Sequence, residues 1–138
     1  MDRAVQIITK KDDAATQLMD ALSSAGTPPA QEALLGIAEN SKLDKALRQR
    51  SAIALGRVAN AEPATVSALT QLLHIQGLET AACYDLGTIS RRLRESGNFA
   101  AADAIVETLV KELKESKERR LERRRVAGHR KLRKRDGI

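Results

Sequence analysis

The chain has 138 residues, which fits one domain with a modest core, and its hydrophobic fraction of 42% excludes disorder by composition. The apolar content is nearly all Ala, Leu, Ile and Val, with one Phe (Phe99), one Tyr (Tyr84) and no Trp, a balance that favours closely packed helices over a sheet. The net charge of +6 is uneven: residues 1–110 hold 11 basic and 13 acidic side chains, whereas residues 111–138 hold 13 and 5.

Helix signals follow one another with regular punctuation. The first helical region covers about residues 2–24, with a break near Lys10–Asp13 where Asp12 or Asp13 caps a second helix, and Gly26 ends it. Thr27-Pro28-Pro29 reads as an N-cap followed by Pro in the first turn, so a helix runs from Pro28 to about Glu39 and stops at Asn40. Ser41 and Asp44 have capping-box spacing, which predicts a helix from Lys42 to about Ala59. Pro63 opens the next, to about His74, with Gly77 beyond it. Leu78–Glu95 follows, stopped by Gly97, and Asn98 caps a last helix that starts at Phe99 and enters the charged tail.

Two of these segments repeat. Leu47, Ser51, Ala54, Leu55 and Val58 share a helical face, as do Leu78, Ala82, Leu86 and Ile89. Leu47–Val58 (LRQRSAIALGRV) aligns with Leu78–Ile89 (LETAACYDLGTI) at an offset of 31, which superimposes Leu55-Gly56 on Leu86-Gly87 and Ala52 on Cys83. The preceding helices align at 34, Pro29-Ala30 on Pro63-Ala64 and Leu35 on Leu69. A two-helix unit recurring every 31–36 residues or so predicts a helical solenoid. Two glycines at equivalent helical places predict close helix contacts, because a mid-helix Gly otherwise costs about 1 kcal/mol. The core is expected to contain Leu47, Leu55, Leu69, Leu86 and Ile89, with Cys83 as small packing.

Asp44, Leu47, Arg48, Ser51, Ala52, Ala54, Leu55, Gly56 and Val58 follow the pattern of a HEAT second helix: an acid, an apolar-Arg pair, then small residues ending in Leu-Gly. The chain therefore resembles HEAT-repeat proteins over about residues 12–110. Ala25–Leu35 (AGTPPAQEALL) also resembles the helical N-terminal region of vitellogenin-like lipoproteins and their bacterial relatives. The HEAT resemblance implies an all-α, short right-handed α-solenoid of helical hairpins, here residues 1–110, followed by a long basic helical extension, residues 111–138. It also implies that the second helices line a concave binding face. On them Arg50 and Arg57, and Tyr84 and Arg91, are each seven apart and lie away from the apolar face. Such a line of Arg and Tyr suits an acidic peptide or a phosphate-bearing partner.

Chemistry finds little support. His74 and His129 are the only histidines, Cys83 is the single cysteine, and no zinc motif, EF-hand loop, P-loop, dinucleotide fingerprint or GxSxG occurs. No metal, cofactor or catalytic residue is expected. Some HEAT-like folds are DNA glycosylases, but their aromatic cleft has no counterpart in a chain with one Tyr and no Trp. The start, MDRAVQIITKKDDAA, has no apolar core of a secretory signal, and no apolar run reaches about 18 residues, so a cytoplasmic protein without a membrane span is expected. The tail concentrates cations at Arg119, Arg120, Arg123, Arg124, Arg125, Arg130, Lys131, Arg133, Lys134 and Arg135. Its first half is expected to form a charged helix and its end, beyond Gly128, to fray.

These readings converge on a non-enzymatic adaptor that binds another protein. The alternative is a nucleic-acid-associated protein, peripheral to a ribonucleoprotein particle, that docks through the basic tail without base stacking. A third reading is a fragment of a larger helical lipid carrier or enzyme-associated module, because Val5, Ile7, Ile8, Leu18 and Met19 give the N-terminal end an apolar face.

Overall fold

A computed structural model describes residues 13–136. Among them all regular structure is helical: α1 (Asp13–Ala25), α2 (Pro28–Glu39), α3 (Lys45–Leu55), α4 (Pro63–Leu72), α5 (Glu79–Glu95) and α6 (Phe99–Asp136). The expected helix from residue 2 and the apolar residues Val5, Ile7 and Ile8 lie outside the described residues.

Punctuation chemistry sets most boundaries. Thr27 caps α2, its Oγ1 accepting from the Ala30 N–H at 3.3 Å, with Pro28 and Pro29 in the first turn where a missing N–H is harmless. Helix α5 ends in a Schellman arrangement. Gly97 sits at φ 88°, its N–H donates to the Arg94 carbonyl, and the Asn98 N–H donates to the Leu93 carbonyl at 2.8 Å. Asn98 then caps α6, its Oδ1 accepting from the Ala101 N–H at 3.4 Å. Helix α3 is shorter than its pattern predicts. It begins at Lys45 rather than Lys42, because Asn40 Oδ1 accepts from the Lys42 N–H and holds residues 41–43 in a turn. It ends at Leu55 rather than near Ala59, with Gly56 at the C-cap. Helix α6 continues through Gly128 to Asp136, past the point where fraying is expected from sequence. Lys and Arg around Gly128 favour the helix by propensity and by their place near its C-terminus.

Contacts fall into two rows. Helix α3 packs between α1 and α5, and α2 packs against α4. The rows are tied by the pairs α1–α2, α2–α3 and α4–α5, and α6 packs on α5. The core between them is aliphatic: Met19, Leu34, Ile37, Leu55, Leu69, Leu72, Leu78 and Leu86 are essentially inaccessible. Leu47 is only partly buried, at the margin of the core. Both aromatic side chains, Tyr84 and Phe99, are exposed.

Buried polar groups tie neighbouring helices together, both within a row and across the two. The Gln31 amide is 1% exposed and fully used. Its Nε2 donates to the Gly26 and Asn60 carbonyls, both at 2.9 Å, and its Oε1 accepts from the Glu62 N–H at 2.9 Å and the Thr65 hydroxyl at 2.6 Å. Ser51 Oγ donates to the Leu34 carbonyl at 2.7 Å, and Ser23 Oγ donates to the Ala54 carbonyl at 2.8 Å.

The repeat register differs from the letter match. At an offset of 31, buried Ala52 falls on exposed Cys83 and buried Gly56 on exposed Gly87. At 34 the patterns agree. Ser51, Ala52 and Leu55 fall on Asp85, Leu86 and Ile89, all buried, and Arg50, Ile53 and Arg57 fall on Tyr84, Gly87 and Arg91, all exposed. Cys83 is therefore a surface thiol, not core packing. Only one of the two glycines marks a close approach. A Cβ on Gly56 would lie 2.2 Å from Asp85 Oδ1, whereas one on Gly87 would meet nothing within 4 Å.

Candidate partner-binding surfaces

The exposed positions of α3 and α5 form one side of the molecule. Between the two helices runs an open groove of about 740 Å³, lined by Gln49, Ile53, Gly56, Arg57, Gly77, Glu79, Thr80, Ala81, Tyr84, Thr88, Arg91 and Arg92. It brings together three of the four residues singled out on the second helices. Tyr84 is 71% exposed and Ile53 42%, so the groove offers apolar surface together with the cations Arg57 and Arg91. Arg57 reaches Asp20 of α1 at 3.7 Å and Arg91 reaches Glu95 at 3.9 Å. Both pairs are solvent-exposed and hold their cations weakly. Arg50 stands apart from the groove and donates to Thr16 Oγ1 of α1.

Two groove residues have structural duties that sequence reading missed. Arg92 Nη1 donates to the carbonyls of Gly56 at 2.9 Å and Val58 at 2.6 Å, which binds α5 to the turn after α3. Gln49 Nε2 donates to the Gly77 carbonyl at 2.8 Å. Ile53 was open to discovery from sequence: it sits three and four residues from Arg50 and Arg57 on the same exposed face. Behind the groove, Asp85 is wholly buried, and neither carboxyl oxygen has a hydrogen-bond partner among the described residues. Burial pushes its carboxyl up to about 8.

A second open groove, of about 880 Å³, lies where α6 passes the end of α4 and the start of α5. Leu73 and Leu109 form its apolar floor, and His74, Cys83, Glu112, Arg119, Arg120 and Arg123 are among its rim. Glu112 bridges this rim, its two oxygens lying 3.7 Å from His74 Nε2 and 3.1 Å from Arg119 Nη2. The Cys83 thiol is pushed up, first by burial and then by the nearby Glu112 and Glu79 carboxylates. That setting opposes a reactive thiolate.

The rest of the tail is a free helix. From Lys117 onward every described side chain is exposed, including Arg120, Arg123, Arg124, Arg130, Lys131 and Arg133. Arg125 pairs with Glu122 at 3.3 Å. Lys134 and Arg135 lie outside the described side chains. Among the described residues no group of three or more His, Cys, Asp or Glu side chains is placed to hold a metal ion, and no helix is long and apolar enough to cross a membrane.

No family model matches the chain, and neither a curated protein nor a solved structure does.

Proposed function

We propose that the chain is a non-enzymatic adaptor, a right-handed solenoid of HEAT-like hairpins that binds a partner protein along the α3/α5 groove. The observation that carries this reading is the groove itself, whose lining brings exposed Tyr84 and Ile53 together with Arg57 and Arg91. Aromatic and Arg side chains dominate the energetics of protein interfaces, and an exposed Tyr in one groove with Arg57 and Arg91 fits an extended segment carrying an apolar anchor and acidic neighbours. The 34-residue recurrence of exposure, with Arg50/Tyr84 and Arg57/Arg91 at matching places, supports a repeat built to present one face.

The test is affinity capture with the full chain under nuclease treatment, set beside Tyr84→Ala and Ile53→Glu variants. Both positions are exposed, so the variants are expected to fold. Captured protein that survives nuclease and is lost with both variants supports the reading. Capture that ignores both variants, or that vanishes with nuclease, rejects it.

A second reading rests on a separate observation, the exposed cationic helix from Arg119 to Arg133. Its exposed side chains can meet the phosphates of a nucleic acid, Arg119 and Arg125 by exchanging their ion pairs with Glu112 and Glu122, with little preference for sequence because no base edge is read. Neutralising Arg123, Arg124 and Arg125 together to Gln should then weaken binding to random RNA and flatten its salt dependence. Unchanged binding would remove the tail as the site.

A further inference from the structure

All eight large hydrophobic side chains found exposed among the described residues lie in two places. Ile53 and Tyr84 belong to the groove, and the other six are on α6. Five of these six, Phe99, Val106, Val110, Leu113 and Leu121, fall along one side of that helix, between 43% and 70% exposed. This side is distinct from the one α6 packs on the body, which carries the buried Ala102 and Ile105. With Asp103, Lys117 and Arg120 the stripe reads 99, 103, 106, 110, 113, 117, 120, an alternation of four and three. That is the spacing of a coiled-coil seam, and among the described residues nothing covers it.

The charges on the seam say what does. Its N-terminal half carries Asp103, with Glu107 beside it, and its C-terminal half carries Lys117 and Arg120. Two such helices laid parallel would set acid against acid, base against base, and the two cationic tails side by side. Laid antiparallel about Val110, each Asp103 faces the Lys117–Arg120 turn of the other copy. Phe99 then approaches Leu121, Val110 meets its own copy, and the tails point in opposite directions. Asp103 also pairs with Arg94, whose guanidinium lies 5.8 Å over the Phe99 ring; the pair is solvent-exposed and leaves Asp103 open to a cation of a second copy. We infer that the chain forms a two-fold symmetric homodimer through an antiparallel pairing of the α6 stripes, centred on Val110.

The interface is isologous, as two-fold dimers require, and leaves the α3/α5 groove open on both copies. Sedimentation equilibrium of the full chain over the micromolar range is expected to give twice the 15.0 kDa chain mass. Val110→Glu with Leu113→Glu should give a monomer of unchanged helical circular dichroism, since both side chains are exposed. Asp103→Lys should weaken the dimer by roughly tenfold or more, the effect of opposing like charges at an interface. The swap Asp103→Lys with Lys117→Asp should recover it, because only an antiparallel pairing brings those two positions together. A monomer at every concentration overturns the inference. So does a dimer indifferent to the Val110/Leu113 change, or a swap no better than Asp103→Lys alone.

Discussion

Replacing Asp85 by Asn probes the close approach of α5 to the turn after α3. The carboxyl is buried against Gly56, without a hydrogen-bond partner among the described residues, and is pushed up to about 8 in the folded chain. In the unfolded chain an Asp ionises near ~3.9. Between these two values the folded chain keeps a proton that the unfolded chain has released, so stability must fall as pH rises. The slope is at most about 1.4 kcal/mol per pH unit, which across the window is of order 5 kcal/mol. The contribution is fully present below about pH 4 and gone above about pH 8. That loss is comparable to the whole stability of a small domain, roughly 5–15 kcal/mol. Asn keeps the shape and cannot ionise, although its buried amide brings its own desolvation cost of about 1–3 kcal/mol. The two proteins should therefore cross: wild type more stable in acid, Asp85→Asn more stable in mild alkali. Urea midpoints measured at a series of pH values from mildly acidic to mildly alkaline give both curves. Parallel curves, or a wild type whose stability rises with pH through this window, would refute the burial argument.

Gly56→Ala should destabilise by about 1–3 kcal/mol, because its Cβ would overlap Asp85 and approach the Asp85 Cα at 3.3 Å. Gly87→Ala, helical and unobstructed, should instead stabilise by about 1 kcal/mol in the same denaturation assay. Leu55→Ala should cost about 2–5 kcal/mol as a large-to-small change at a fully buried site, and an unchanged midpoint would contradict that burial. For the tail, a salt titration of random single-stranded RNA should give a log–log slope of about −0.7 per phosphate contact, reduced in the Arg123/Arg124/Arg125→Gln variant.

Local punctuation was legible in the sequence where a Pro or Gly signal set it, less so at the ends of α3 and α6, and long-range register was not. The Thr27-Pro28-Pro29 signal places α2 at Pro28–Glu39 because capping and proline geometry are decided within a few residues. The repeat offset depends on which glycine is buried, and letters do not carry burial. Leu55-Gly56 and Leu86-Gly87 match as text, yet Gly56 caps a helix against Asp85 while Gly87 lies exposed within α5. Reading at 34 would have placed Asp85 beside Ser51, at a core position where an acid is conspicuous. Gln31 left no such trace. Its four partners come from the segment before α2 and from residues 60–65, which only the folded chain brings together. On the surface, Arg57, Tyr84 and Arg91 share a groove as helical spacing suggested, whereas Arg50 turns to Thr16 of α1, a contact that depends on the crossing of two helices.

Where the apolar surface lies orders the tests. The groove residues Ile53 and Tyr84 sit on α3 and α5, and the seam residues Val110 and Leu113 sit on α6 with no place in that groove. A variant in one set should therefore leave the other property intact, and distant, unconnected sites of this kind behave additively. Leu113 needs separate attention, because it also borders the second groove, beside Arg119, Arg120 and Arg123. Val110 does not, so Val110→Glu alone separates self-association from any ligand of that rim. Loss of the dimer with an unchanged salt-dependent affinity for RNA would assign the apolar stripe to a second copy of the chain and leave the cationic edge for the polyanion. Loss of both together would mean that the two tails bind as a pair. Dimerisation would then raise polyanion affinity through effective concentration rather than through any new contact.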